Sequence, residues 1–369
     1  MPSRRESAFA GFLLSTLPAL TVPAVAGAQG GLPWVTPPVT APGVERRLFA
    51  SDAAGTTVSY HVFLPPQYAA EPDRCFPVLY WLHGSGAATA SIAPVSGWFR
   101  DAIAAGLIPP MIVVFPNGMS YRMWCDSLDG ATPMETVVIE DLLPVVDAAF
   151  RTVASREGRI VEGFSMGGQG AARLGLRHSD LFAAASILGA GPMQLDFLDE
   201  PAGTSFPRDL RLQIYEQVWG SSPAYYLAQH PSTIAEENAA AVIASGLRIR
   251  VAVGTLDAML AGNVAYREHL EALGIDHEFT PVPGVGHLAP AVMEGLGDAN
   301  WAFYEEVFGG VGRRIGDLNA DHRVDGVDLG IMLGGWGECP PKSSCPADLD
   351  HDGIVGGSDL SILLGAWGE

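Results

Sequence analysis

The sequence predicts a doubly wound α/β domain with a mostly parallel sheet, followed by a small all-α module. Three observations predict it. Between Val44 and Gly310, apolar runs of strand length alternate with stretches of helical spacing. One of those runs ends in Gly163-Phe164-Ser165-Met166-Gly167 and passes directly into a helical stretch. From Gly316 to Glu369 the composition shifts to ten acidic residues against only Arg323 and Lys342, and the segment repeats itself.

The chain begins as an exported protein would. Arg4 and Arg5 precede an apolar stretch, and Ala26-Gly27-Ala28 has the small-x-small pattern of a cleavage site, so residues 1–28 are expected to be a signal peptide and the protein to be secreted. The paired arginines leave Sec or twin-arginine export open. Two prolines argue against that stretch as a stable membrane span, and no later run is long and apolar enough to be one. Residues 29–43, rich in Gly and Pro, are expected to be a flexible lead-in. A net charge of −20 argues against binding the nucleic-acid backbone, while 48 % hydrophobic residues in a 369-residue chain suffice for a core and exclude a disordered protein.

The elements follow in order. "RRLFAS" and "TVSYHVFLP" form a hairpin about Asp52–Gly55. "PVLYWLHG" and "MIVVFPNG" are unbroken apolar runs, as strands buried on both faces require. "METVVIEDLLPVVDAAF" is helical and leads to the strand "GRIVEG" and the helix "GGQGAARLGLRH". Strands "FAAASIL", "LRIRVAVG" and "HEFTPVPG" come next, with helices "NVAYREHLEALG" and "AVMEGLGDANWAFYEEVF" between and after the last two.

Gly-x-Ser-x-Gly carries chemistry only where a strand turns sharply into a helix, and "GRIV" and "MGGQGAARLGL" provide that. Ser165 would stand above the carboxyl edge of the sheet as a nucleophile, over the positive end of a helix. A serine hydroxyl needs a base. In this arrangement the acid and histidine follow the serine, each after a late strand. Asp257, just past "LRIRVAVG", and His287, in the Gly-rich loop after the last strand, fill those places. Asp257 would fix the imidazole tautomer. The amides of Met166 and of Ser85, or of Gly84 or Gly86 beside it, are candidate oxyanion donors. His83 suits a structural hydrogen bond better than catalysis. Trp98, Tyr121 and Trp124 follow strands and are candidates to stack on an aromatic acyl group or a sugar, with packing as the alternative.

Together "VSYHVFLPPQY", "FPVLYWLHGSG", "VVFPNG", "GFSMGGQGAARLG" and "GTLD…GVGH" resemble a family of serine esterases that includes esterase D, the feruloyl esterases and the antigen 85 acyltransferases. The resemblance spans residues 44–310 and implies an α/β-hydrolase fold. It also implies ester hydrolysis through an acyl-enzyme, with Ser165, His287 and Asp257 as the triad and no catalytic cofactor. Export favours feruloyl or acetyl esters of polysaccharides. Acyl transfer to a sugar, and a catalytically silent binding module, remain alternatives.

Beyond a linker at 311–316, the segment 317–369 repeats "GDLNADHRVDGVDLGIMLGGWG" as "ADLDHDGIVGGSDLSILLGAWG" without a gap. Oxygen ligands at loop positions one, three, five and twelve, with a carbonyl at seven, wrap a hard cation such as Ca2+. The first loop would supply Asp317, Asn319, Asp321, the Arg323 carbonyl and Asp328, with Asp325 a further ligand at position nine. The second would supply Asp348, Asp350, Asp352, the Ile354 carbonyl and Asp359. This duplicated half-EF-hand resembles a dockerin type I domain, which implies a cohesin or scaffold partner, with a calcium-stabilised tag without a partner as the alternative. His322 departs from the Gly expected at position six. In an oxidising compartment Cys339 and Cys345 would form a local disulfide. Cys75 and Cys125, both near strand ends, are the remaining pair.

Overall fold

In the computed structural model, the residues described are 33–72, 74–199, 207–311, 316–319, 323–339, 345–350 and 352–368. The expected signal peptide, His322 and most of the expected linker lie outside them, as does the ligand candidate Asp321. Eight strands form one sheet in the order β1-β2-β4-β3-β5-β6-β7-β8. β1 (Val44–Ser51) and β2 (Thr56–Phe63) are the antiparallel hairpin foreseen from the sequence, and β2 pairs antiparallel with β4 (Ile112–Pro116). From β4 onward every pairing is parallel, through β3 (Val78–Leu82), β5 (Arg159–Phe164), β6 (Ala184–Leu188), β7 (Arg248–Gly254) and β8 (Glu278–Val282). The parallel strands are apolar because helices cover both faces, and β3, β4 and β6 are buried at every residue.

Helices α1 (Ile92–Ala104), α2 (Met166–Arg177), α3 (Pro231–Ser245) and α4 (Leu260–Ala272) link the strands. The last helix foreseen from the sequence is two, α5 (Ala289–Gly295) and α6 (Asp298–Phe308). Gly297, at φ +56, separates them. The helix after β4 contains a π-helical turn at Val137–Leu142, and its Asp141 accepts the Ser51 hydroxyl and the Ala53 amide (3.1 Å), tying that helix to the β1–β2 hairpin.

Two expectations are corrected. Residues 33–43 are pinned rather than loose. Trp34 is buried, its carbonyl accepts from the Ser59 amide and from Asn117 Nδ2 (both 2.9 Å), and the Thr36 amide donates to Ser59 Oγ. A large indole placed against the core outweighs the Gly/Pro composition around it. Cys75 and Cys125 are both free thiols. Cys75 precedes β3, at the amino edge of the sheet, whereas Cys125 follows β4 beyond the carboxyl edge, so the strands themselves hold the pair apart.

The acidic segment holds two helices, α7 (Gly326–Gly334) and α8 (Gly357–Gly365), and a two-stranded ladder of β9 (Gly337–Glu338) and β10 (Ile354–Val355). Its own apolar cluster is Val324, Met332, Ala347, Val355 and Leu363. Cys339 and Cys345 are bridged, with Cα atoms 5.8 Å apart.

Candidate active site

β5 runs into α2 with a single residue between them, Ser165, at φ +61 and ψ −119. That is a left-handed φ, costly for a residue with a Cβ, and it persists only where the surroundings impose it. They do: the Ser165 amide donates to the Leu188 carbonyl (3.0 Å), and the Ser165 carbonyl accepts from Gln169 (3.0 Å) and Gly191 (3.1 Å). The flanking glycines are a matter of space. A Cβ at Gly163 would lie 2.2 Å from the Gly167 carbonyl oxygen, and one at Gly167 would lie 1.8 Å from that of Leu82.

The loops after β7 and β8 meet beside this turn, because the Leu256 amide donates to the Val285 carbonyl (2.8 Å). The Asp257 side chain is fully buried. One carboxylate oxygen accepts the Met259 amide (2.8 Å) and the other lies 2.8 Å from His287 Nδ1. A carboxylate can only accept, so the ring proton sits on Nδ1. His287 Nε2 is then the acceptor, and Ser165 Oγ lies 2.8 Å from it. The Phe164 ring lies against the imidazole, 4.6 Å between centroids. The structure therefore brings Ser165, His287 and Asp257 into one hydrogen-bonded line.

Two backbone segments face Ser165. Met166 opens α2, where the first amides have no intrahelical partner. In the loop after β3, a Cβ at Gly84 would meet Ser165 Cβ at 3.2 Å. The Gly86 amide is used by the Ser120 carbonyl (2.8 Å), whereas among the described residues the Ser85 amide donates to no backbone carbonyl. His83 is structural: its Nδ1 lies 2.9 Å from the Gly84 carbonyl, and burial lowers its pKa to about 4, so it is neutral at ordinary pH.

Of the three candidate stacking residues, Tyr121 lies over this loop, its hydroxyl 3.2 Å from where a Gly86 Cβ would be. Trp98 is half-buried: it stacks on Trp301 (5.0 Å, 17°) and meets Phe99 and Tyr304 edge-on, against the edge of the core between α1 and α6. Trp124 is completely buried. Both are corrected to packing residues, because large aromatics after a strand can fold under the sheet edge as readily as over it. Sequence reasoning missed Leu256 and Leu288, 73 % and 59 % exposed. Each is the chain neighbour of a residue in the Ser165 line, which was the signal available.

In the second acidic loop, carboxylate oxygens of Asp348, Asp350 and Asp352 lie within 4.8 Å of one another. Converging carboxylates offer hard oxygen donors of the kind that suits Ca2+. Gly353, at position six, has φ +88, the left-handed turn that this loop needs. Asp359 and Asp328 are buried and close their loops, accepting the amides of Leu349, Asp350 and Gly356, and of Leu318, Asn319 and Asp325 respectively. A carboxylate oxygen that accepts one N–H keeps a lone pair for a metal. Asp325 caps α7 through the Val327 amide (2.8 Å). Ile354 lies in β10, and Asp317, in the first loop, is buried.

Residues 51–287 match the model of the esterase family described as "Putative esterase". An esterase of Mycobacterium tuberculosis is 31 % identical over 270 residues, which are 65 % of this chain and 54 % of that protein. An endo-1,4-beta-xylanase/feruloyl esterase of Xylanibacter ruminicola is 29 % identical over 172 residues, 44 % of this chain and 24 % of that protein. This chain thus spans about half of the first relative's length and about a quarter of the second's. A solved ferulic acid esterase superposes with a TM-score of 0.58 at 23 % identity, covering 72 % of this chain and 98 % of its own, which makes the fold that of the α/β-hydrolases. The family match covers well over half of the sequence, and this chain belongs to the esterase family.

Proposed function

We propose that the chain is a serine carboxylic-ester hydrolase working through an acyl-enzyme. The observation that carries this is the continuous line from Ser165 Oγ to His287 Nε2 and from His287 Nδ1 to Asp257, 2.8 Å at each step. His287 takes the Ser165 proton as Oγ attacks the ester carbonyl. The carbonyl oxygen gains charge facing the Met166 and Ser85 amides, with Gly84 the alternative to Ser85. Collapse returns the proton from His287 to the leaving alcohol, and a water activated by the same imidazole releases the acid. Asp257 holds the proton on Nδ1 and stabilises the imidazolium.

The substrate proposed is a feruloyl or acetyl ester of a polysaccharide. Exposed Leu256 and Leu288, with Tyr121 over the Gly84–Gly86 loop, present apolar surface that suits an aromatic acyl group better than acetyl. The xylanase/feruloyl esterase relative supports the same class. The 44–310 segment is the esterase domain, led by an export signal over 1–28. Residues 317–369 form a dockerin-like tail holding two calcium ions. Its ligands are Asp317, Asn319, Asp321, the Arg323 carbonyl, Asp325 and Asp328 in one loop, and Asp348, Asp350, Asp352, the Ile354 carbonyl and Asp359 in the other. The tail attaches the enzyme to a cohesin-bearing scaffold. Hydrolysis of methyl ferulate, acetylated xylan and p-nitrophenyl acetate by the wild type and Ser165→Ala tests the reading. Serine-dependent turnover of ferulate is expected; equal rates in the two proteins would overturn it.

A further inference from the structure

Trp124 is the largest side chain near the site that the chemistry above leaves unused. It is fully buried and stands at φ +51, directly after Met123 at φ +53. Two successive side-chain-bearing residues in the left-handed region are expensive, and their neighbours must hold them there. The indole Nε1–H donates to the His83 carbonyl (3.1 Å), and the Trp124 carbonyl accepts from buried Arg173. The ring fills a slot made by two glycines. A Cβ at Gly118 would come within 2.4 Å of it, and one at Gly170 would come within 2.7 Å of Trp124 Cβ and Cγ. The His83 ring meets the indole edge-on at 5.0 Å.

These contacts join two separate pieces of chain. His83 begins the loop that carries Gly84 and Ser85, whereas Gly170 lies in α2, one turn after Met166. The two oxyanion donors belong to these two pieces; the pairing of β3 with β5 brings them side by side, Leu82 beside Gly163, and beyond that pairing packing sets their spacing. Trp124 touches both, through a directed hydrogen bond on one side and close packing on the other. We propose that Trp124 is a positioning residue that sets the spacing of the Ser85 and Met166 amides. The proposal rests on the acyl-enzyme reading above.

The contribution of a well-placed oxyanion donor is about 10²–10³ in kcat. Displacing one by a few tenths of an ångström should therefore lower kcat about tenfold while leaving ground-state binding alone. Trp124→Phe keeps a smaller ring in the slot, removing the donor to His83 and the outer indole ring that lies against Gly118. The measurement is kcat and KM on methyl ferulate and p-nitrophenyl acetate, per site titrated with a fluorophosphonate, together with Ki for a trifluoromethyl ketone, whose serine adduct carries the oxyanion. Expected are a kcat reduced about tenfold, KM within about twofold, and Ki raised by the same factor as kcat falls. Unchanged kcat per titrated site and unchanged Ki, with only a lowered Tm, would make Trp124 a packing residue and overturn the proposal. Should Trp124→Phe not fold, Gly118→Ala decides it, since its methyl group presses on the indole from the other side. It must give the same loss confined to kcat and Ki, or the proposal falls. A wild type without Ser165-dependent turnover would remove the hydrolase reading and this proposal together. An active wild type with an unaltered Trp124→Phe removes this proposal alone.

Discussion

Replacing Asp257 by Asn tests the catalytic line with almost no change in shape. Asp257 makes two hydrogen bonds, and both need it to accept: one from the Met259 amide, the other from His287 Nδ1, each 2.8 Å. An Asn side chain has one acceptor and one donor end. If its oxygen keeps the Met259 amide, its NH2 points at His287 and can bond only an unprotonated Nδ1. The ring proton then moves to Nε2, and Nε2 can no longer accept the proton of Ser165 Oγ. If the amide flips, its NH2 opposes the Met259 N–H inside a fully buried site, at about 1–3 kcal/mol. That penalty keeps most molecules in the inactive tautomer. In a triad of this kind the wrong tautomer lowers kcat about 10⁴-fold. Asp257→Asn should thus lose about three to four decades of kcat, with KM little changed and Tm within a few degrees. The assay is steady-state hydrolysis of p-nitrophenyl acetate, with the active fraction normalised by quantitative mass spectrometry of the folded protein. A variant within tenfold of wild type would refute Asp257 as the orienting acid.

Other consequences follow from particular contacts. A methyl group at Gly167 would collide with the Leu82 carbonyl, backbone against backbone, so Gly167→Ala should lose more than about 3 kcal/mol in urea unfolding, together with the activity. Burial raises the Glu135 carboxyl, but Arg173, His178 and Arg177 around it more than reverse this, down to about 2 from an ordinary 4.5. A lowered carboxylate pKa gives stability that is complete above 4.5 and is lost as pH falls toward 2. Between pH 6 and pH 3 that loss is about 2 kcal/mol, and it should vanish from the urea-unfolding difference in Glu135→Gln. Calorimetry with Ca2+ should find two sites in the wild type and one in a variant carrying Asp350→Asn and Asp352→Asn, with kcat the same in both. Two sites in that variant would remove these residues from the ligand set.

What the sequence disclosed follows the range of the interactions. The Ser165 turn is local: strand, glycines and helix are contiguous, so Gly163, Ser165 and Gly167 could be read without knowing what lies above them. Asp257 and His287 are remote from Ser165 in sequence, yet strand order alone places them, because each parallel strand delivers its following loop to the same edge. The helices between β6 and β7 went unread although Ser222-Pro223 and His230-Pro231 mark helix starts, the first residue of each pair bonding the new helix through its side chain. The aromatic residues lay beyond that logic. Trp98, Tyr121 and Trp124 look alike in sequence, each in or after a loop at the same edge. Which of them faces a substrate depends on whether small residues elsewhere open a place beneath the loop. For Trp124 they do, at Gly118 and at Gly170 in α2, and an indole that can bury its ring and satisfy its N–H at His83 will do so rather than stay in water. The same reasoning separates the cysteines, because nearness to a strand end means nearness to another cysteine only when both ends lie on one edge of the sheet.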